Sequence, residues 1–374
     1  MIVRRIFLVF LLLTCFSGPC LALETQFETG FLTTWWKNDN HDKGLQVAIP
    51  LQAGVTYDAF KAQLLNAYVH TTVDPANSEK ATLNHFLDTK LNFSYEMTGR
   101  LPLDLLVGCG FNLPTGYTDL SNQQLVLVSL PPDLMPITTF GEGLNINPYL
   151  AVSKEWTKVA AGFGLGYLQR GKYDYSETIQ DYDPGDIITV SASMEYDFTA
   201  ALQGKLFGEY ANYGKDTLAS DDYYQDGALK LIGIGLTYAL PAWEIGASIH
   251  GIFRAKGKYY MDTATPIEEK KNHGNEWEGS VNYRYFLNRS TTLTSGLDYL
   301  AIAANDYPSG SYFYAGKRVK ITLSGGMERN FSAKTKGSLG LNLFSMQDDR
   351  NWYHPGDDYR YTGFTLDARV TTRY

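Results

Sequence analysis

Cysteine is scarce in this chain of 374 residues, which holds only three, Cys15, Cys20 and Cys109. The first two sit in a short leader, so one would remain after its removal. A single cysteine cannot build a disulfide framework or a cysteine-rich metal site. Long apolar runs are also missing. Beyond the leader no stretch reaches about 18 apolar residues, which argues against a membrane-spanning helix. Basic charge is in deficit, with 32 Lys and Arg against 40 Asp and Glu. That balance argues against nucleic acid as a partner. No Gly-rich phosphate loop or paired metal motif appears, so no cofactor and no metal are implied.

The leader reads as an export signal. Arg4 and Arg5 form a basic start, and Ile6 to Thr14 form an apolar run too short for a stable transmembrane helix. Cys20 and Ala22 place small residues at minus three and minus one, which predicts cleavage after Ala22. Neither Cys15 nor Cys20 follows a good lipobox. The expected organisation is a leader over 1–22 and one domain over 23–374, with a mature net charge of about −10.

What is abundant is alternation. The last residues place Phe364, Leu366, Ala368, Val370, Thr372 and Tyr374 on one parity. Thr365, Asp367, Arg369, Thr371 and Arg373 take the other. One face suits lipid and the other suits water, and the chain ends on an aromatic residue, which is how a transmembrane β-barrel strand reads. Similar segments recur along the chain, with 27 Tyr, 19 Phe and 35 Gly spread among them. Tyr suits the interfacial girdles of a barrel. A soluble β-sandwich or a solenoid could share this composition, but its wet face would not supply so long a pore-lining set.

The pattern predicts an all-β, antiparallel transmembrane barrel of sixteen strands, with fourteen as the alternative. Expected strands include 26–36, 59–71, 143–154, 157–170 and 361–374. In strand four Leu87, Leu91, Phe93 and Tyr95 are read as outward, and Asp88, Lys90, Asn92, Ser94 and Glu96 as inward. Connections alternate between short turns and mostly longer loops, the asymmetry of outer-membrane barrels, and both termini are expected on the periplasmic side. That implies contact with membrane lipids and lipopolysaccharide at the cell outer membrane. Oligomeric state stays open between monomer and homo-oligomer.

Sixteen strands enclose more space than wall side chains can fill. The connection over 114–141 is a candidate filler. It contains Leu125, Leu127, Leu130, Pro131, Pro132, Leu134, Met135 and Ile137, too apolar a set for an open loop in water. Consecutive prolines stiffen it and bar regular strand pairing. It is expected to fold into the lumen as a constriction, with a short helix near Ser121–Val128; a rim cap or a subunit contact are the alternatives.

Inward parity carries charges of both signs, which either pair across strands or act on solutes. Arg318, Lys320, Lys336, Arg369 and Arg373 form a basic ladder on the last strands that could favour anions. The acidic, aromatic segments 181–186, 221–226 and 348–358 read as external loops, and their spacing does not match a regular calcium loop. Ser248, His250 and Glu244 share an inward face, but Ser248 and His250 stand about 7 Å apart along one strand. His70 and His85 flank one external loop and could approach each other. These hints are too weak to expect an enzyme.

The segment Gly110-Phe111-Asn112-Leu113-Pro114-Thr115-Gly116, just before the apolar loop, resembles the outer-membrane proteins linked to meta-pathway phenol degradation. The Gly162–Gly166 strand ending in Gln169-Arg170-Gly171-Lys172 is similar too. That group looks distantly like the fatty acid and toluene outer-membrane transporters, whose N-terminal plug has no counterpart expected here. The resemblance implies passive movement of small amphipathic or aromatic solutes. A general or anion-preferring porin, and a structural barrel sheathing a partner, are the other readings.

Overall fold

The computed structural model describes residues 23–99, 101–260, 270–351 and 358–374. The expected leader lies outside these residues. Among the described residues there are twenty-one strands and one short helix: β1 (Leu23–Asn38), β2 (Lys43–Tyr57), β3 (Phe60–Asp74), β4 (Ala81–Phe86), β5 (Thr89–Met97), β6 (Asp104–Leu113), α1 (Leu125–Ser129), β7 (Asn145–Glu155), β8 (Val159–Leu168) and β9 (Tyr182–Asp183). There follow β10 (Ile187–Asp197), β11 (Leu202–Tyr213), β12 (Asp216–Leu218), β13 (Asp221–Gln225), β14 (Leu229–Leu240), β15 (Trp243–Arg254) and β16 (Lys258–Tyr259). The last are β17 (Glu276–Asn288), β18 (Thr291–Ile302), β19 (Arg318–Asn330), β20 (Thr335–Asp348) and β21 (Tyr359–Arg373).

Each long strand pairs antiparallel with its neighbour, and β1 pairs with both β2 and β21, which closes the sheet. The short strands β4 and β5 both lie on β3 and together make one stave. Sixteen staves result. β9, β12, β13 and β16 form a separate four-stranded sheet in the long loops.

The alternating pattern sets the register. Phe93 opposes Cys109, and Leu165 opposes Val190, so apolar side chains meet on the outer face. Ile232, Ile234, Leu236, Leu323 and Leu343 remain exposed there. Apolar residues continue round the barrel, a surface suited to hydrocarbon rather than water. At the short-turn edge, the Tyr196 and Phe198 ring centroids lie 4.9 Å apart and those of Tyr238 and Trp243 5.6 Å apart. Near the other edge, Trp35 lies 5.8 Å from Phe364. These are the two aromatic girdles of a transmembrane barrel.

Strand four departs from its expected form. Its two halves, β4 and β5, are separated by Leu87 and Asp88, and the parity shifts across this break. Phe86 pairs with Tyr68 and Leu91 with Leu64, both on the outer face. Leu87 packs inward against the buried cluster, not outward as its parity suggested. The extra residue of a bulge explains the change: alternation restarts after it.

Candidate functional site: the apolar loop and the lumen

The barrel's buried apolar cluster lies inside one side of the wall. Trp36, Ala48, Val69, Val73, Ala81, Leu83, Phe344, Met346 and Tyr361 come from β1–β4, β20 and β21. Leu120, Leu127, Leu130, Leu134, Met135 and Phe140 come from the connection between β6 and β7. Leu127, Leu134 and Met135 are fully buried, and burial of each such side chain contributes on the order of 2 kcal/mol. Leu125 and Ile137 are half-buried against the same cluster. Pro131 is half-buried, whereas Pro132 is exposed. The helix α1 falls across the end of the segment expected to be helical.

Three polar anchors fix this connection. The first is Asp88, buried at the bulge. Its carboxylate accepts from the Gly116 N–H at 2.7 Å, the Glu142 N–H at 2.7 Å and the Asn112 side-chain amide at 2.7 Å. One side chain therefore ties the start of the loop to its end. A Cβ on Gly116 would collide with the Phe140 carbonyl oxygen, so glycine is needed for the close approach. Thr115 adds a hydroxyl that accepts from the Thr89 N–H at 2.8 Å. The motif singled out by resemblance thus supplies Asn112, Thr115 and Gly116 to the knot.

The second anchor is Gln46. Its amide nitrogen donates to the Ile137 carbonyl at 2.7 Å, and its oxygen accepts from the Ile137 N–H at 3.0 Å. The same nitrogen reaches Thr71 Oγ1 at 2.9 Å. Such pairing satisfies a buried backbone that has no strand partner. The third anchor is on β19. Arg318 holds both carboxylate oxygens of Asp348 at 3.0 Å and donates to Asp133 of the loop at 3.0 Å. Lys320 donates to the Asp133 carbonyl at 2.6 Å. Bidentate, partly buried pairs of this type are the strong ones.

The five basic wall residues all have partners. Arg318 and Lys320 hold the loop. Lys336 lies 2.7 Å from Glu328, and Arg369 lies 2.9 Å from Asp367 and 3.9 Å from Glu28. Arg373 donates to the Gln26 side chain at 3.2 Å. Arg284 also approaches Glu328, at 3.7 Å. The ladder is therefore interleaved with acids: Glu328 and Asp367 share its inward parity, and Glu28, Asp133 and Asp348 add to them.

Space remains on the opposite side of the lumen. A cavity of about 1000 Å³ runs along β3 to β17, lined among others by Lys61, Glu96, Ser193, Lys205 and Asn282. A second, of about 320 Å³, lies between loop residue Asp133 and the wall residues His250, Glu278, Asp298 and Lys320. The two share Ser248 and Ser280, whose hydroxyls meet at 2.8 Å.

The catalytic hints disperse. Ser248 bonds to Ser280, His250 lies 3.4 Å from Glu278, and Glu244 lies 3.5 Å from Arg284. His70 contacts Asn84, with which it pairs on one face, while His85 lies 5.1 Å from the Tyr117 ring. The register puts these two histidines on opposite faces of the barrel wall, on neighbouring staves. Among the described residues no group of three His, Cys, Asp or Glu could hold a metal ion.

Sequence reasoning missed the roles of Gln46, Asp88 and Asp133. A signal existed. Trp36, Val69, Val73, Phe344 and Met346 are apolar residues on the inward parity, and a wet wall has no use for them.

The fold is that of the outer-membrane β-barrels. No family model matches the chain, and no curated protein does. Among solved structures, a bacterial polysaccharide outer membrane secretin aligns at 8% identity and TM-score 0.49, covering 94% of this chain and 98% of that one. Acinetobacter baumannii OccAB1 aligns at 10% identity and TM-score 0.47, covering 93% and 96%. An anion-selective porin from Comamonas acidovorans aligns at 14% identity and TM-score 0.42, covering 94% and 99%.

Proposed function

We propose that this protein is a passive outer-membrane channel for small solutes, narrowed by the 114–141 loop. One observation carries the reading: a sixteen-stave barrel holds an apolar loop against one inner wall while the other wall lines open space. A barrel of this size exceeds what its wall side chains can fill. The loop removes part of that width, and its anchors hold it there without an energy source. Solutes would move down their gradient past Asp133, His250, Glu278, Asp298 and Lys320.

The passage has a mixed wall, with apolar residues such as Phe207 and Leu106 beside charged ones. This suits small amphipathic compounds, and the resemblance adds aromatic ones. The second reading is a general or anion-preferring porin. Its support is the basic set Arg318, Lys320, Lys336, Arg369 and Arg373, but their acidic partners weaken any net attraction for anions. The sheath reading has no such support.

Liposome swelling with refolded protein tests the function. Graded entry of small neutral solutes, falling steeply with size, is the expected result. No entry of any small solute through correctly folded barrels would refute the channel reading.

A further inference from the structure

Outside the passage, the structure holds a third cavity of about 410 Å³ between the back of the loop and the long external loops. Its size is in the usual range for a small-molecule site. Tyr173, Tyr175 and Tyr182 stand against one another, with ring centroids 5.7 to 6.3 Å apart, and form one wall. Tyr223 lines the rim and is half open to water. Thr139 and the Arg170–Glu142 pair, 3.9 Å apart, line the loop side beside the apolar Leu120, Val128 and Phe140.

We propose that this cavity is a binding site for a neutral saccharide, a first contact for solute at the outer mouth. The inference rests on the channel reading for its purpose, but the site can be tested apart from it. The chemistry of the lining selects the ligand. Flat phenol rings favour a ligand with a flat apolar face. Phenol and threonine hydroxyls, with one guanidinium and one carboxylate, favour a rim of hydroxyls that both donate and accept. A sugar ring has both features.

Other ligands fit less well. An anion would compete with Glu142 for Arg170 and would leave that carboxylate uncompensated nearby. A plain hydrocarbon ring would dehydrate the pair and the hydroxyls without replacing their hydrogen bonds. Burial pushes the Tyr173 and Tyr182 phenols well above their usual range, and a hydrogen bond to Asp216 adds to the effect at Tyr182. Both therefore stay uncharged.

Isothermal titration calorimetry of the folded, full-length mature protein tests this, with maltose as the neutral probe and benzoate as the anionic aromatic one. Saturable heat with maltose is expected, weakened several-fold in Tyr223→Ala and at least ten-fold in Glu142→Gln. Tyr223→Ala guards against a folding artefact, because the side chain lies at the rim. Absence of saturation with maltose would overturn the proposal. So would an unchanged affinity in Tyr223→Ala, or tighter binding of benzoate than of maltose. Maltose binding by a barrel that admits no solute would reject the channel and leave the site standing.

Discussion

Asp88 is the residue on which the loop most depends. It is buried, and it satisfies two backbone N–H groups and one amide from three points along the chain. Asp88→Ala leaves those donors unpaired, at a cost of about 3 kcal/mol or more to loop docking. The barrel should still assemble, because the change lies in a bulge and not in the ladder. Single-channel recording of this variant should show larger, noisier openings than the parent, and quiet parental openings would contradict the assignment. Trp36 provides a contrast. Its indole N–H is buried and makes no hydrogen bond among the described residues, although the ring packs 5.4 Å from Tyr361. Trp36→Phe removes an unsatisfied donor and keeps most of the apolar contact, so it should change stability by less than about 1.5 kcal/mol. Thermal unfolding in detergent checks this; a much larger loss would mean that the N–H has a partner.

At the scale of elements, staves were legible wherever period-two alternation ran unbroken. β2, β8, β10 and β21 have the facing that their sequences indicate. Strand four was misread at Leu87, because a bulge resets parity and leaves no distinctive residue behind. The small sheet of β9, β12, β13 and β16 was not anticipated. Its strands are two to five residues long, too short for periodicity to register. The loop's apolar character was visible in the sequence, but its anchors were not. Gln46 and Ile137 lie 91 residues apart, and Arg318 and Asp133 lie 185 apart. Only tertiary structure brings such pairs together.

One external segment has a pH response of its own. His273 precedes β17, and burial, followed by the nearby Arg254 charge, holds its pKa below the usual range. A depressed pKa means that the folded segment disfavours the charged ring. Its stabilising contribution is present above the unfolded pKa of about 6.5 and is lost as pH falls through the lower folded value. Hydrogen exchange in residues 270–275, corrected for intrinsic rates, should therefore quicken on acidification. His273→Gln should remove that extra acceleration, and an identical response in this variant would refute the account.

For the whole molecule, the wall's charge is a matter of pairing rather than of totals. Glu328 lies within reach of both Lys336 and Arg284. Glu328→Gln removes the carboxylate shared by Lys336 and Arg284, leaving Glu244 beside Arg284, and the reversal potential in a salt gradient should move toward anion preference. The shift should shrink at high salt, where partly exposed charges are screened. An unmoved reversal potential would place these residues off the conducting path. Transmembrane architecture was readable from the sequence because lipid and water impose opposite demands on alternate residues. Solute identity was not, because it depends on how closely the loop approaches the far wall.

The most direct test of the central claim is single-channel conductance in planar bilayers of the refolded protein beside a variant lacking Leu125–Ile137. The segment removed packs on the apolar inner wall and carries Asp133, which faces the narrow cavity. The account predicts steady openings in the parent and a several-fold larger conductance in a deletion variant that still folds as a barrel. Equal conductance in the two proteins would contradict it.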